Sequence, residues 1–221
     1  MSIFGSNPST TEVKDTELVD PPNDSISCMS FSPTADYLAV GSWNHEVSQD
    51  VYVRLYEIGP QGQSQGKAMF KHDGPVLSVC WNKEGNKVFS GGMDKVTARM
   101  FDVQTGQTTQ VAAHDDAIKS VRWVDAQGGI LATGSWDKTI KYWDLRQSRP
   151  VAKVDLPERC YTMDVVYPLL VVGTADRQVL VYDLTSPTTV FRVRPSILVG
   201  FGMGSIEGRV AMQYIDEKEA R

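Results

Sequence analysis

Three side chains near the middle of the chain have the types used in covalent hydrolysis: His114, Ser135 and Asp137. A serine nucleophile needs a base within hydrogen-bond reach, a carboxylate that orients the base, and N–H donors for the oxyanion. The frame around Ser135 does not supply these. It stands in "GSWDKTIKYWDLR" (134–146), which lacks the G-x-S-x-G elbow that exposes a nucleophile. The same residues read better as a buried polar relay. Asp137 sits in a tight turn between two strands, where its carboxylate accepts from backbone donors and from the imidazole of His114. Ser135 is then expected to bridge, with the Trp143 indole N–H donating in turn, so that no polar atom is left unpaired. That role is structural, and no catalytic residue is expected.

Metal and cofactor chemistry have weaker footing. His45, His72 and His114 are far apart, and Cys28, Cys80 and Cys160 form no C-x-x-C pair, so zinc-ligand spacing is lacking. The glycine-rich "GFGMGS" (200–205) is followed by neither a lysine nor a helix pattern that would cradle phosphate. No cofactor, metal or small-molecule substrate is expected. An odd, widely spaced cysteine count suggests a reducing compartment. A net charge of −5 and a pI near 5.2 give no overall attraction for nucleic acid, so any RNA contact needs a local patch. No stretch of the 221 residues has the apolar length of a membrane-spanning helix.

What positions these residues is a repeat. "HDGPVLSVCW" (72–81) aligns with "HDDAIKSVRW" (114–123), and "KVFSGGMDKVTARMFDV" (87–103) with "ILATGSWDKTIKYWDL" (130–145). A further copy is "CYTMDVVYPLLVVGTADRQVLVYDL" (160–184), and an earlier one runs from "SISCMSFSPTADYLAVGSW" (25–43) to "VRLYEI" (53–58). Asp102, Asp144 and Asp183 follow at spacings of 42 and 39, and Glu57 precedes Asp102 by 45. A period near 40–45 residues, with alternating apolar positions in "TIKYWDL" and "QVLVYDL", is that of four-stranded propeller blades. The expected fold is an all-β WD-repeat β-propeller of four full blades plus a partial fifth. The blades are expected over 24–58, 72–103, 114–145, 156–184 and, in part, 200–215. Residues 1–23 read as a mobile N-terminal arm and 216–221 as a C-terminal tail. "GPQGQSQGK" (59–67) reads as a flexible loop on the rim.

The relay is expected in weaker form elsewhere. The second copy keeps His72 and Asp94 with Gly92 for the serine and Phe101 for the tryptophan. The fourth has Thr174, Asp176 and Tyr182 without a histidine, and the first has Asn44 for the aspartate. Turn residues form the candidate interaction surface: Trp43, Met93 and Trp136 before the turn aspartate or asparagine, and Lys95, Lys138 and Arg177 after the aspartates. Exposed aromatics and cations of this kind suit an acidic peptide or phosphates; packed between blades or merely solvated, they would have no such role.

Several strings are more specific than the blade pattern: "MSIFGS" (1–6), "NDSISCMSFSP" (23–33), "GPVLSVCW" (74–81), "ATGSWDKTIKYWD" (132–144), "LPERCYTMDVVYP" (156–168) and "GSIEGRVAMQYI" (204–215). Together they make the chain resemble the nuclear-pore-associated WD-repeat mRNA export factors, which dock on an FG-repeat nucleoporin. The resemblance implies a non-enzymatic adaptor of the nucleus and nuclear envelope, found also in the cytoplasm. It would bind a short nucleoporin segment across the propeller face and bridge ribonucleoprotein cargo. The family is also credited with single-stranded RNA contact and a role in spindle assembly. A mitotic-checkpoint WD-repeat scaffold is the nearest related alternative. "WDLR" (143–146) is similar to a motif by which some WD-repeat proteins engage a cullin ubiquitin-ligase adaptor, which would make Trp143, Asp144 and Arg146 a docking point. The family closes a seven-bladed ring, so this chain is expected to lack part of blade five, with the gap between Arg194 and Gly200, and everything beyond. Such an open arc is expected to be poorly soluble or partner-dependent.

Overall fold

The computed structural model describes residues 15–43, 51–94, 97–126 and 128–188, together with the backbone of 200–204 and 210–214. Seventeen strands and no helix occur among the described residues. The chain folds as consecutive antiparallel meanders, the layout of an incomplete WD-repeat propeller. The first sheet comprises β1 (Ile26–Phe31), β2 (Tyr37–Ser42), β3 (Val51–Ile58) and β4 (Ser64–His72). The second comprises β5 (Val76–Trp81), β6 (Lys87–Gly92), β7 (Thr97–Asp102) and β8 (Thr108–Ala113). The third comprises β9 (Ile118–Val124), β10 (Ile130–Ser135), β11 (Thr139–Trp143) and β12 (Ala152–Asp155). The fourth has β13 (Cys160–Val166), β14 (Leu169–Thr174) and β15 (Val179–Asp183), and a hairpin of β16 (Gly200–Gly204) and β17 (Val210–Tyr214) follows. Residues 189–199, the expected tail, Asn44, His45, Lys95 and the junction at Arg194 lie outside the described residues.

β1, β5, β9 and β13 lie beside one another, so the sheets are arranged radially with these strands innermost. All four carry a bulge at the same step: Ser27, Leu77, Lys119 and Tyr161 are skipped in the pairing with the second strand. Just past it, each second strand has a glycine. A Cβ on Gly41, Gly91 or Gly134 would lie 2.8 Å from Val76 Cγ1, 2.6 Å from Ile118 Cγ2 or 2.5 Å from Cys160 Sγ of the next sheet, closer than packed atoms approach. Glycine there lets the sheets close on one another. Three apolar clusters fill the seams. Val53, Leu55 and Phe70 meet Val76 and Trp81; Phe89 and Ala98 meet Ile118 and Val121; Ile140 and Tyr142 meet Met163 and Leu170. Polar cross-links add to them, including Trp81 Nε1–H to the Ser30 carbonyl at 2.9 Å and Val121 N–H to Ser78 Oγ at 3.1 Å.

Two expectations about connecting segments are corrected. The 59–67 stretch is not a free loop. It turns back through Gly62, whose φ of +81° suits glycine, and enters β4 at Ser64, paired with Ile58. Glutamine and glycine content suggested mobility, but a hairpin needs little more than a turn and a partner edge. Nor is the expected mobile arm free of the fold over Leu18–Asp20. Val19 N–H donates to Ser64 Oγ at 2.8 Å, Arg54 reaches the Asp20 carbonyl and carboxylate at 2.6 and 2.7 Å, and Leu18 packs on Leu38, Val40 and Tyr56. The segment straps the face of the first sheet that carries Leu38, Val40 and Tyr56, because those side chains give Leu18 an apolar surface to bury against. Residues 1–14 lie outside the described residues.

Candidate functional site

His114 leaves the loop between β8 and β9, and Asp137 stands in the turn between β10 and β11. Strand pairing brings them together: His114 Nδ1 is 2.8 Å from Asp137 Oδ2. The hydroxyl on the other imidazole nitrogen belongs to Thr133, at 2.8 Å from Nε2, and the Trp143 indole N–H donates to that same oxygen at 2.8 Å. Donors therefore run in one direction, from Trp143 through Thr133 and His114 to Asp137. Thr139 completes the carboxylate, with its hydroxyl and N–H on Oδ1 at 2.6 and 3.0 Å. Burial holds the His114 pKa below its ordinary value against the opposing pull of Asp137, so the imidazole is neutral and suited to this chain. Burial pushes Asp137 upward, but the donors from Thr139, Asp115 and His114 outweigh it and its pKa is lowered.

Ser135 is not the bridge. Its hydroxyl donates to the Asp116 carbonyl at 3.0 Å and accepts from the Asp137 N–H at 3.0 Å, tying the turn to the incoming loop. Thr133 and Ser135 lie two residues apart on β10 and share a face, and only the earlier one comes level with the imidazole. Ser135 thus makes no nucleophile–base pair. Thr133 does contact the base, but it is fully buried beneath Trp143, where no substrate can reach it.

The second sheet repeats the arrangement more completely than the sequence suggested. Ser90, not the Gly92 position, supplies the hydroxyl, 2.7 Å from His72 Nε2. His72 Nδ1 stands 2.9 Å from Asp94 Oδ2, off the line that a hydrogen bond prefers. Arg99 supplies the counter-charge, with Nε and a terminal nitrogen 3.1 and 3.0 Å from that oxygen and further bonds to Asp73 and the Lys71 carbonyl. Phe101, in the tryptophan slot, stacks on Phe70 at 5.0 Å. The fourth sheet has no such relay. Val172 fills the hydroxyl slot, and Asp176 is held within its own turn by Thr174 at 2.5 Å and Gln178 at 2.7 Å. Sequence reading missed Thr133, Ser90, Thr139 and Arg99. A signal for the first two was present, since a hydroxyl stands at that step in both copies that carry the histidine and in neither of the others.

The turn residues divide. Met93 is exposed, whereas Trp43 and Trp136 are half-buried, and the Trp136 indole N–H is buried without a partner among the described residues. Lys138 and Arg177 are exposed and both adopt left-handed backbone, at φ of 64° and 67°. Lys138 pairs with Glu158 at 3.0 Å. At "WDLR" the docking reading meets a difficulty. Trp143 is buried in the relay, and Arg146 folds back with Nε and a terminal nitrogen 2.8 and 2.7 Å from the Asp144 carboxylate. The guanidinium fork is spent inside the turn, beside a groove of about 390 Å³ against β8. Burial pushes the Cys80 and Cys160 thiols up to about 12, so neither is a thiolate, and no cluster of metal-ligating side chains occurs among the described residues.

Comparison with known proteins agrees with the geometry. The WD domain, G-beta repeat model matches residues 16–48, 64–97 and 106–144. The Poly(A)+ RNA export protein of Schizosaccharomyces pombe is 52% identical over 242 positions, covering 100% of this chain and 67% of that protein. The mRNA export factor GLE2 of Chaetomium thermophilum is 45% identical over 98% of this chain and 66% of its own length, and Protein Rae1 of Drosophila melanogaster 40% identical over 97% and 66%. The chain thus spans about two thirds of the length of these relatives. An alignment of 242 positions against 221 residues leaves at least 21 positions of the S. pombe protein without a counterpart here.

Proposed function

The chain belongs to the WD-repeat family of mRNA export factors, and from that premise we propose that it is a non-enzymatic adaptor in nuclear export of mRNA. It docks a short segment of an FG-repeat nucleoporin on its turn face, at the nuclear envelope, and bridges ribonucleoprotein cargo, with single-stranded RNA as a further contact. The observation that carries the docking reading is the backbone at Lys138 and Arg177. Left-handed conformation costs a side chain with a Cβ about 1–2 kcal/mol, and glycine nearly nothing. Turns that only joined strands would be better served by glycine. Instead, two consecutive blades hold an exposed cation at the same step, and Arg177 pairs with no carboxylate among the described residues. On the neighbouring sheet, Met93 offers an exposed apolar contact at the equivalent turn. Cations around apolar side chains suit an acidic peptide, and the attraction weakens with salt.

The double variant K138G/R177G tests this without harming the fold, since glycine fits both turns. Thermal stability should be equal or higher, while capture of the nucleoporin segment in a pull-down should fall by on the order of tenfold or more, as expected for losing 1.4 kcal/mol or more of binding. Capture unchanged by the double variant would remove the turn face from the proposal.

A further inference from the structure

Cations on the sheets are mostly spent on carboxylates: Lys87 on Asp102, Arg99 on Asp94, Arg122 on Asp164 and Lys153 on Asp155. Lys119 differs. It pairs with no carboxylate among the described residues, and it stands at the bulge of β9, where an extra residue re-aims its side chain out of the alternation of the sheet. In a radial row both faces of an inner sheet are covered by its neighbours, and only the edge of its innermost strand looks onto the axis. β9 is such a strand, flanked by β5 and β13. Arg122, three residues on, marks the same side: its guanidinium spans from Ser78 of β5 at 3.4 Å to Asp164 of β13 at 3.1 Å. Both cations also act on the thiols of Cys28 in β1 and Cys160 in β13, which belong to the first and the fourth sheets. Their charge is therefore directed at the axis rather than into one seam.

The bulge of β13 places Tyr161 at the same step, on the neighbouring inner strand, with its side chain half exposed. The level is that of the turn face. The Trp136 backbone N–H donates to the Ala117 carbonyl and the Ala175 N–H to the Arg159 carbonyl, so the β10–β11 and β14–β15 turns close over the ends from which β9 and β13 start. A net charge of −5 gives single-stranded nucleic acid no general attraction, so a contact must be local. A cation without a carboxylate beside an aromatic ring meets that need, with ammonium on phosphate and ring on base. An acidic peptide would use the ammonium alone. We propose that Lys119 and Tyr161 form a contact for single-stranded RNA at the axial mouth of the turn face, Lys119 on a phosphate and Tyr161 stacked on the adjoining base. This rests on the reading of the chain as an mRNA export adaptor, and it separates the RNA contact from Lys138 and Arg177, which stand in the turns between second and third strands.

Fluorescence anisotropy of a labelled oligo(A), titrated with the 221-residue chain at several salt concentrations, tests the site. The parent chain should bind. K119Q should weaken binding by on the order of tenfold and flatten the dependence of log affinity on log salt by about 0.7, the share of one phosphate on a single strand. Y161A should weaken binding by on the order of tenfold with the salt slope unchanged, because stacking carries no net charge. Neither should alter capture of the nucleoporin segment, which K138G/R177G reduces. Should either variant melt below the parent, D164N takes its place: it removes an exposed carboxylate from Arg122 and should tighten RNA binding several-fold. RNA affinity unchanged in K119Q and Y161A overturns the site and leaves the adaptor reading standing. Duplex RNA bound as tightly as the single strand also overturns it, since paired bases offer Tyr161 no face. So does a parent chain that binds no RNA, and its capture of the nucleoporin segment then decides the adaptor reading separately.

Discussion

Replacing Thr133 with valine keeps the shape of the side chain and removes one oxygen. That oxygen is 2.8 Å from the Trp143 indole nitrogen and 2.8 Å from His114 Nε2, and all three side chains are buried. The variant leaves a donor and an acceptor without partners, each a loss of about 1–3 kcal/mol, and the imidazole can recover part of this by relaxing. A net loss of about 2–4 kcal/mol follows. Ser135→Ala, in contrast, removes two neutral bonds at the edge of the turn, to the Asp137 N–H and the Asp116 carbonyl, and should cost about 1–2 kcal/mol. Urea denaturation with unchanged slope separates the two, and in thermal melts each kcal/mol should appear as roughly 2–4 °C for a chain of this size. Thr133→Ser should recover most of the loss, less about 0.8 kcal/mol for the missing methyl. If Thr133→Val is within 0.5 kcal/mol of the parent chain (roughly the noise of a neutral surface change), or milder than Ser135→Ala, the relay is not built as described.

Acid should loosen the fold in two stages. The His114 pKa is depressed in the folded state, so the unfolded chain takes up a proton first, and stability falls as pH drops through about 6.5, the ordinary imidazole value, toward the depressed one. The Asp137 pKa is also depressed, and its contribution, complete above the ordinary carboxylate value, is lost as pH falls through the lowered one. Denaturation midpoints between pH 7.5 and 5 should fall for the parent chain, and a His114→Gln variant should lose up to one proton's worth of that slope. Seam packing gives a separate expectation. Gly91→Ala places a Cβ 2.6 Å from Ile118 Cγ2 and 2.9 Å from Val121 Cγ1, both on stiff β-branched side chains, and should cost about 1–3 kcal/mol in the same urea assay. An unchanged midpoint would mean that the sheets can part without penalty.

Much of the architecture was legible because the repeat is written in the residues. The His72/His114 and Asp94/Asp137 pairs, the alternation in β11 and β15 and the glycines of β6 and β10 recur in step, and each recurrence marks a strand or turn. The outer strand β4 was harder to see. "SQGKAMFKH" (64–72) has polar residues on its solvent face and no recurring motif, and it becomes a strand because β3 offers it an edge. Arg99 could not be found for a related reason. Nothing in "TARMFD" (97–102) says that its third residue reaches over a buried carboxylate on the neighbouring turn.

By itself the sequence determined the blade as a unit, its number of recurrences, and which histidines and aspartates would meet. Periodicity and turn chemistry are local, and they need no knowledge of distance across the molecule. Only the tertiary structure decided that Thr133 rather than Ser135 joins His114 to Trp143, because two hydroxyls on one face of a strand differ only in their height beside the neighbouring loop. It also decided which apolar faces are covered. Met29 and Val79 occupy the same place in the repeat, and what distinguishes them is whether another sheet lies against them.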